Sequence, residues 1–371
     1  MKEILFIVPS MRTGGSEKVI LNLVNNIDRT KFIPILVLLK KEGHFLNEID
    51  NNIAIIDLNV KQARFAIFKL YFLIRKRNPS FVFSTLGHLN LIISFIKYFL
   101  PSSIKFIARE SSIPSFSHSN IKNGWIFKLL YKLLYNNFDK IVSQSNYMKN
   151  DLIKNYNIES SKLAVINNPI DIEKIRQLSM QENRDIKLSP EKINILSVGR
   201  LNSVKRYELQ LDILKSLGDK FTLTIIGEGI EINSLLEKIN ILKLKNQIEF
   251  LGLKTNPYMY MKKFDCLLVT SKYEGFPNVV LEANLCGIPV LGFNCPGGIS
   301  EIIINNYNGF LVENNNTKLL LDTIKSFNKS VFDRNEISKN IEEKYALEKI
   351  IKEYENLFLV LEKENNERNK V

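Results

Sequence analysis

Ser271-Lys272-Tyr273-Glu274-Gly275-Phe276-Pro277-Asn278-Val279-Val280-Leu281-Glu282-Ala283-Asn284-Leu285-Cys286-Gly287-Ile288-Pro289-Val290 is the stretch on which the reading of this chain turns. An apolar run, 266–270, leads into it and a second, 289–293, follows, so it reads as strand, loop, short helix and strand. Asn278 is a good N-cap residue; Gly287 is a natural helix stop, with Pro289 just beyond. Glu274 therefore falls on the loop at the carboxyl end of a strand, where open α/β sheets bind ligands. Glu282 falls in the first turns of the helix. Gly275 lets the backbone approach a ligand closely, and the helix N-terminus offers free N–H groups and a partial positive charge.

Two glutamates eight residues apart are ordinarily solvated surface residues. Here they frame a Gly-Phe-Pro-Asn insert and a Glu-Ala-x-x-x-Gly-x-Pro-Val exit. Two carboxylates beside an anion-friendly helix end suit a molecule with hydroxyls at both ends and phosphates between them. A sugar nucleotide has that layout. The whole stretch resembles the Glu-x7-Glu signature of retaining GT-B glycosyltransferases, in particular glycosyltransferase family 4 (glycosyl transferases group 1).

Composition fits a chain of two domains. The chain has 371 residues and 45% apolar content, enough for two cores. Cys266, Cys286 and Cys295 have no metal-type spacing and read as reduced, largely buried thiols of a cytosolic protein. The first nine residues read as a strand rather than a signal peptide, and no stretch has the apolar length of a membrane span. A net charge of +12 calls for an acidic partner, for which nucleic acid and anionic membrane both qualify.

Strand and helix patterns alternate throughout, which predicts α/β architecture with largely parallel sheets. In the first half, strands are expected at 3–8, 32–39, 53–58, 81–85, 105–110, 140–145 and 162–167. Thr13-Gly14-Gly15-Ser16-Glu17 lies between the first strand and a helix, a possible cradle for phosphate or acceptor. Basic, aromatic-rich helical stretches at 61–77 and 122–140 suit the interface of an anionic membrane; either alone is as often plain core and solvent, but both in one domain point to membrane contact. His88, and Arg109 with Glu110, close two of the strands at the ligand-binding edge.

Asn167-Asn168-Pro169-Ile170-Asp171 ends this half, and a polar stretch to 192 reads as a short helix and linker. The strand pattern then restarts at 193 and ends in Gly199-Arg200, with Lys205-Arg206 shortly after. Arginine offers a planar fork for phosphate oxygens and lysine a mobile point charge. Gly227-Glu228-Gly229 follows a strand at 221–226, and Cys295-Pro296-Gly297-Gly298 follows another. A single amphipathic helix is expected over 342–361, and then a charged tail, 362–371.

The family resemblance extends from residue 14 to residue 313. It implies a GT-B fold: two Rossmann-like domains facing each other across a cleft, with 1–170 binding acceptor and 193–340 binding nucleotide-sugar. Residues 171–192 would be the linker, and 341–371 a helix returning to the first domain. By the same resemblance Glu274 contacts the donor sugar, and Arg200 and Lys205 hold the diphosphate as it leaves. Gly14, Gly15, Gly199, Gly227, Gly275, Phe276, Pro277, Asn278 and Glu282 line the donor, with Glu282 on the ribose. His88, Arg109 and Glu110 are candidates for sugar or acceptor contacts.

No metal or other cofactor is expected. Attack from the front face of the sugar is implied, so the two glutamates are not a hydrolase pair. A lipid-linked acceptor, polyprenyl-diphosphate-bound or otherwise, fits bacterial-type capsule, O-antigen or lipopolysaccharide synthesis at the cytoplasmic face of the membrane. An epimerase of sugar nucleotides and a non-catalytic sugar-nucleotide-binding subunit are the rival readings. A nucleic-acid binder would explain the charge, but no recognised motif accompanies it.

Overall fold

The computed structural model describes residues 1–371 apart from Thr13, Gln62, 183–185, Lys187 and 369–371; for Ala63 and 365–368 it describes the backbone alone. Thr13 of the first glycine loop, part of the expected linker and the end of the tail thus lie outside the described residues.

Two parallel sheets organise the chain. β1 (Lys2–Val8), β2 (Phe32–Leu38), β3 (Ala54–Asp57), β4 (Phe81–Thr85), β5 (Lys105–Arg109), β6 (Lys140–Ser143) and β7 (Leu163–Val165) form the first, in the order β3-β2-β1-β4-β5-β6-β7. β8 (Ile193–Val198), β9 (Phe221–Ile226), β10 (Ile248–Gly252), β11 (Cys266–Val269), β12 (Val290–Asn294) and β13 (Gly309–Glu313) form the second, in the order β10-β9-β8-β11-β12-β13. Every pairing is parallel, which requires crossovers that cover both sheet faces. Strand β1 shows the consequence in sequence: Ile4, Phe6 and Val8 enter one core while Leu5 and Ile7 enter another on the opposite face. The α/β class with two Rossmann-like domains is the one the sequence predicts.

Contacts divide the chain into two units, Met1–Pro169 together with the chain from Leu347 onward, and Ile170–Ala346. In each sheet the strand order reverses once, between β1 and β4 and between β8 and β11. Ligands of open α/β sheets bind outside the carboxyl ends of the strands at such reversals.

The single helix expected at 342–361 is two. Arg334–Tyr345 ends, Ala346 is extended, and Leu347–Arg368 begins. Ala346 pairs with Ile170 as a parallel bridge, and Ile170 N–H donates to Tyr345 O, so that backbone is committed elsewhere. Leu347–Arg368 packs Ile350, Ile351, Tyr354, Phe358 and Leu361 into the core of the first unit, with the Phe358 ring against Phe32, Phe81 and Phe83. The basic stretches are shorter helices than expected: a 3-10 turn Ala63–Ala66 with helix Ile67–Arg77, and helix Gly124–Leu134 with a 3-10 turn Tyr135–Asn137.

Candidate active site

In the second unit the loops after β8, β9, β11 and β12 meet at one sheet edge. Gly227 (φ +147°) lies so close to the turn after β8 that a Cβ there would sit 1.9 Å from Gly199 O. Only glycine allows that approach. Leu201 N–H donates to Glu228 O at 3.0 Å and locks the two loops together. The β8 loop is stitched to the β11 loop in the same way. Lys272 N–H donates to Val204 O at 2.8 Å and Thr270 Oγ1 donates to Lys205 O at 2.9 Å.

These backbone contacts place Lys205 and Glu274 on each other at the reversal point. Lys205 Nζ donates to Glu274 Oε1 at 2.6 Å, and Ser271 Oγ donates to the same oxygen at 2.6 Å. Glu274 is fixed from its backbone as well. Its N–H donates to Pro296 O at 3.0 Å, and Gly298 N–H donates to Gly275 O at 3.0 Å and Glu274 O at 3.2 Å. A carboxylate held so firmly, yet only half-buried, retains lone pairs for hydroxyl donors.

Phe276 and Pro277 are buried; the Phe276 ring meets Tyr345 edge-on at 5.6 Å. The helix runs Asn278–Leu285, so Asn278 is its first residue and not its cap. Pro277 takes the cap position, and its side chain makes no cap hydrogen bond. Glu282, one turn in and half-buried, accepts from Tyr258 OH at 3.2 Å. Arg200 is exposed at the mouth of the β8 loop.

Arg206 does not stand in for its neighbours. Its guanidinium donates to Thr270 O, Ser271 O and Asn315 Oδ1 and lies over the Phe293 ring at 4.9 Å, so it is a tie between loops. The nearby Cys295 thiol is pushed up to about 12 by burial and by the Glu274 charge, which keeps it a neutral thiol. Ser271, Tyr258 and the pairing of 296–298 with 274–275 were not legible in advance. Only the Ser-x-x-Glu spacing of Ser271 and Glu274 carries a local signal.

In the first unit Gly14 precedes helix Gly15–Asn26, and Ser16 Oγ lies 3.2 Å from Thr85 Oγ1, which joins the first turn of that helix to the end of β4. His88 is exposed as the second residue of helix Gly87–Lys97. Leu86 before it has φ +75°, a costly conformation for a branched residue.

Arg109 and Glu110, expected among the ligand contacts, are interior residues instead. Arg109 is 0% exposed and donates to Asn168 Oδ1 at 2.6 Å and Tyr354 OH at 3.2 Å. The Glu110 carboxyl is covered by the stacked rings of Tyr131 and Tyr135, whose hydroxyls both donate to it, and by Asn90. Burial pushes its pKa up to about 7 against the pull of those donors.

Known proteins resemble this chain over most of its length. Residues 13–174 match the model of Glycosyltransferase Family 4, and residues 179–344 match that of Glycosyl transferases group 1. The two matches follow one another and together span most of the chain. It is 28% identical over 336 residues, 88% of this chain and 90% of the other, to a Campylobacter jejuni N-acetylgalactosamine-N,N'-diacetylbacillosaminyl-diphospho-undecaprenol 4-alpha-N-acetylgalactosaminyltransferase. It is 26% identical over 380 residues to a Staphylococcus aureus poly(ribitol-phosphate) alpha-N-acetylglucosaminyltransferase, covering 94% of this chain and 75% of that one. Among solved structures, Anabaena HepE in complex with UDP and glucose superposes with a TM-score of 0.79 at 18% identity, covering 97% of this chain and all of that one.

Proposed function

We propose that this protein is a retaining glycosyltransferase that moves a sugar from a nucleotide-sugar to a lipid-linked or growing glycan acceptor in bacterial-type surface polysaccharide synthesis. The observation that carries the reading is the Lys205–Glu274 pair at the reversal point of the second sheet, fixed by backbone bonds from three loops. Glu274 accepts from hydroxyls of the donor sugar, seated against the backbone of Gly275, Phe276 and Pro277. Lys205 and Arg200 take the diphosphate, with N–H groups at Asn278 and close backbone at Gly199 and Gly227. Glu282 holds the ribose. Gly14, Gly15 and His88 address the donor or acceptor from the first unit.

As the bond from the anomeric carbon to the diphosphate breaks, negative charge grows on the leaving oxygens and the two cations stabilise it. The acceptor oxygen attacks from the same face and passes its proton to a phosphate oxygen of the departing diphosphate. No metal is required for this neutralisation, so activity should survive chelation by EDTA. Both relatives are named for α-linked products, and an α-glycosyl diphosphate gives an α product only with retention. Lipid-linked acceptors fit a cytoplasmic enzyme working at the inner membrane face.

The test is a screen of UDP-, GDP- and ADP-sugars for thermal stabilisation and slow hydrolysis, with Glu274→Ala and Lys205→Ala beside the wild type. A donor that stabilises and turns over only in the wild type supports the reading. No response to any donor overturns it in favour of a non-catalytic subunit, and release of an epimerised sugar would make the protein an epimerase.

A further inference from the structure

Residues 58–138 hold twelve Lys and Arg and one acidic residue, Glu110, so this segment carries +11 of the chain's +12. Glu110 is buried. Every charge this segment shows to solvent is therefore positive.

Helices Ile67–Arg77, Gly87–Lys97 and Gly124–Leu134 lie in this segment, and the middle one touches both others. All three send their inner residues, such as Leu70, Ile93 and Tyr131, into one core on one face of the seven-stranded sheet. Their outer sides should be polar if they only met water. They instead present Phe68 (76% exposed), Phe72, Phe95, Trp125 (68% exposed) and Leu133, with exposed Phe99 in the turn just after the middle helix. Exposed Arg75, Lys76, Lys128 and Lys132 stand among them, and among the described residues none of the four has an acidic partner within ion-pair distance. Among the described residues no helix is long and apolar enough to cross a membrane.

We propose that this three-helix face is a docking surface for an anionic phospholipid bilayer. Scattered exposed apolar residues are normal, but large aromatic side chains gathered on three adjacent helices mark an interaction site. Aromatic rings settle at the headgroup level, and the interleaved cations meet lipid phosphates. The absence of any exposed acid in the segment matches the one-sided charge of such a membrane.

Trp125 is the only tryptophan in the chain, so its own fluorescence reports on this face. The protein is mixed with phosphatidylcholine vesicles, with and without phosphatidylglycerol, without any sugar nucleotide, and emission and co-sedimentation are followed. A blue shift and co-sedimentation are expected only with phosphatidylglycerol, weakening as salt rises. Lys128→Gln and Lys132→Gln should each lower vesicle partitioning about fivefold, and Phe68→Ser with Phe72→Ser should lower it further. These side chains are exposed, so unchanged urea midpoints verify the fold of each variant. Unchanged Trp125 emission with phosphatidylglycerol vesicles overturns the proposal, as does binding indifferent to these substitutions. A blue shift with soluble polyglutamate but not with vesicles would assign the face to an acidic protein instead. Because no donor is present, the result is independent of the glycosyl-transfer reading.

Discussion

Single side chains at the two sheet edges have opposite fates. Lys205, Glu274 and Ser271 share one oxygen at a half-exposed edge, whereas Arg109 and Glu110 are sealed inside. Loss of one cation at a developing diphosphate costs about 10² to 10³ in kcat. Lys205→Ala should show that loss. Ser271→Ala should cost only about tenfold, because Lys205 still orients Glu274; steady-state kinetics with the donor found by screening separate the two. An equal loss in both would mean that the serine bond, not the ion pair, fixes the carboxylate.

Glu110 makes a different prediction, about pH. Its folded pKa, about 7, lies above the ordinary 4.5, so its contribution to stability is full below pH 4.5 and lost as pH rises towards 7. His118, packed on Tyr131, is lowered by burial to about 4, so its contribution is full above 6.5 and lost as pH falls. The two oppose each other in the wild type. Glu110→Gln removes one of them, so relative to wild type it should gain on the order of 3 kcal/mol as pH rises from 4.5 to 8. Urea midpoints across that range check this, and a difference independent of pH would contradict the buried carboxyl.

At the scale of elements, the site is an assembly of loops whose backbones touch. Gly227→Ala puts a methyl group onto Gly199 O in a left-handed conformation and should cost about 3 kcal/mol, together with donor affinity. Gly218 also has a positive φ (+76°), but nothing lies within 4 Å of its Cβ position, so Gly218→Ala should cost about 1 kcal/mol and leave donor affinity intact. Urea melts with donor titration distinguish crowding from backbone strain.

Much of this arrangement was legible because strand, glycine turn and helix start lie within a few residues of one another. Gly199 and Gly227 close strands, and Glu274 follows one, so all three land at the same edge of a parallel sheet. What was not legible depends on partners distant in sequence. Arg109-Glu110-Ser111-Ser112 reads as a polar strand end, but Tyr354, 245 residues on, and Tyr135 make Arg109 and Glu110 interior. The break at Ala346 arises because Ile170 claims its backbone, a pairing with no local trace.

At the scale of the whole molecule, the chain order and the folding units disagree. The unit 170–346 is one continuous segment with its own core. The unit 1–169 is not complete until the helix that starts at Leu347 arrives. Leu347, Ile350, Ile351, Tyr354, Phe358 and Leu361 are all less than 10% exposed in that unit's core. At about 2 kcal/mol for each buried apolar side chain, removing them withdraws on the order of 10 kcal/mol, as much as a domain's whole stability. Arg109 would also lose the Tyr354 hydroxyl and remain a buried charge with one partner fewer. The fragment 170–346 should therefore unfold in one cooperative step in urea, whereas 1–169 alone should keep helical signal but lose cooperativity and bind hydrophobic dye. Adding 347–371 as a separate peptide should restore a sigmoidal transition to 1–169, with a midpoint that rises with peptide concentration. A cooperative melt of 1–169 without the peptide would show that the seven-stranded sheet closes its core unaided, and that the last helix is an addition to a finished domain.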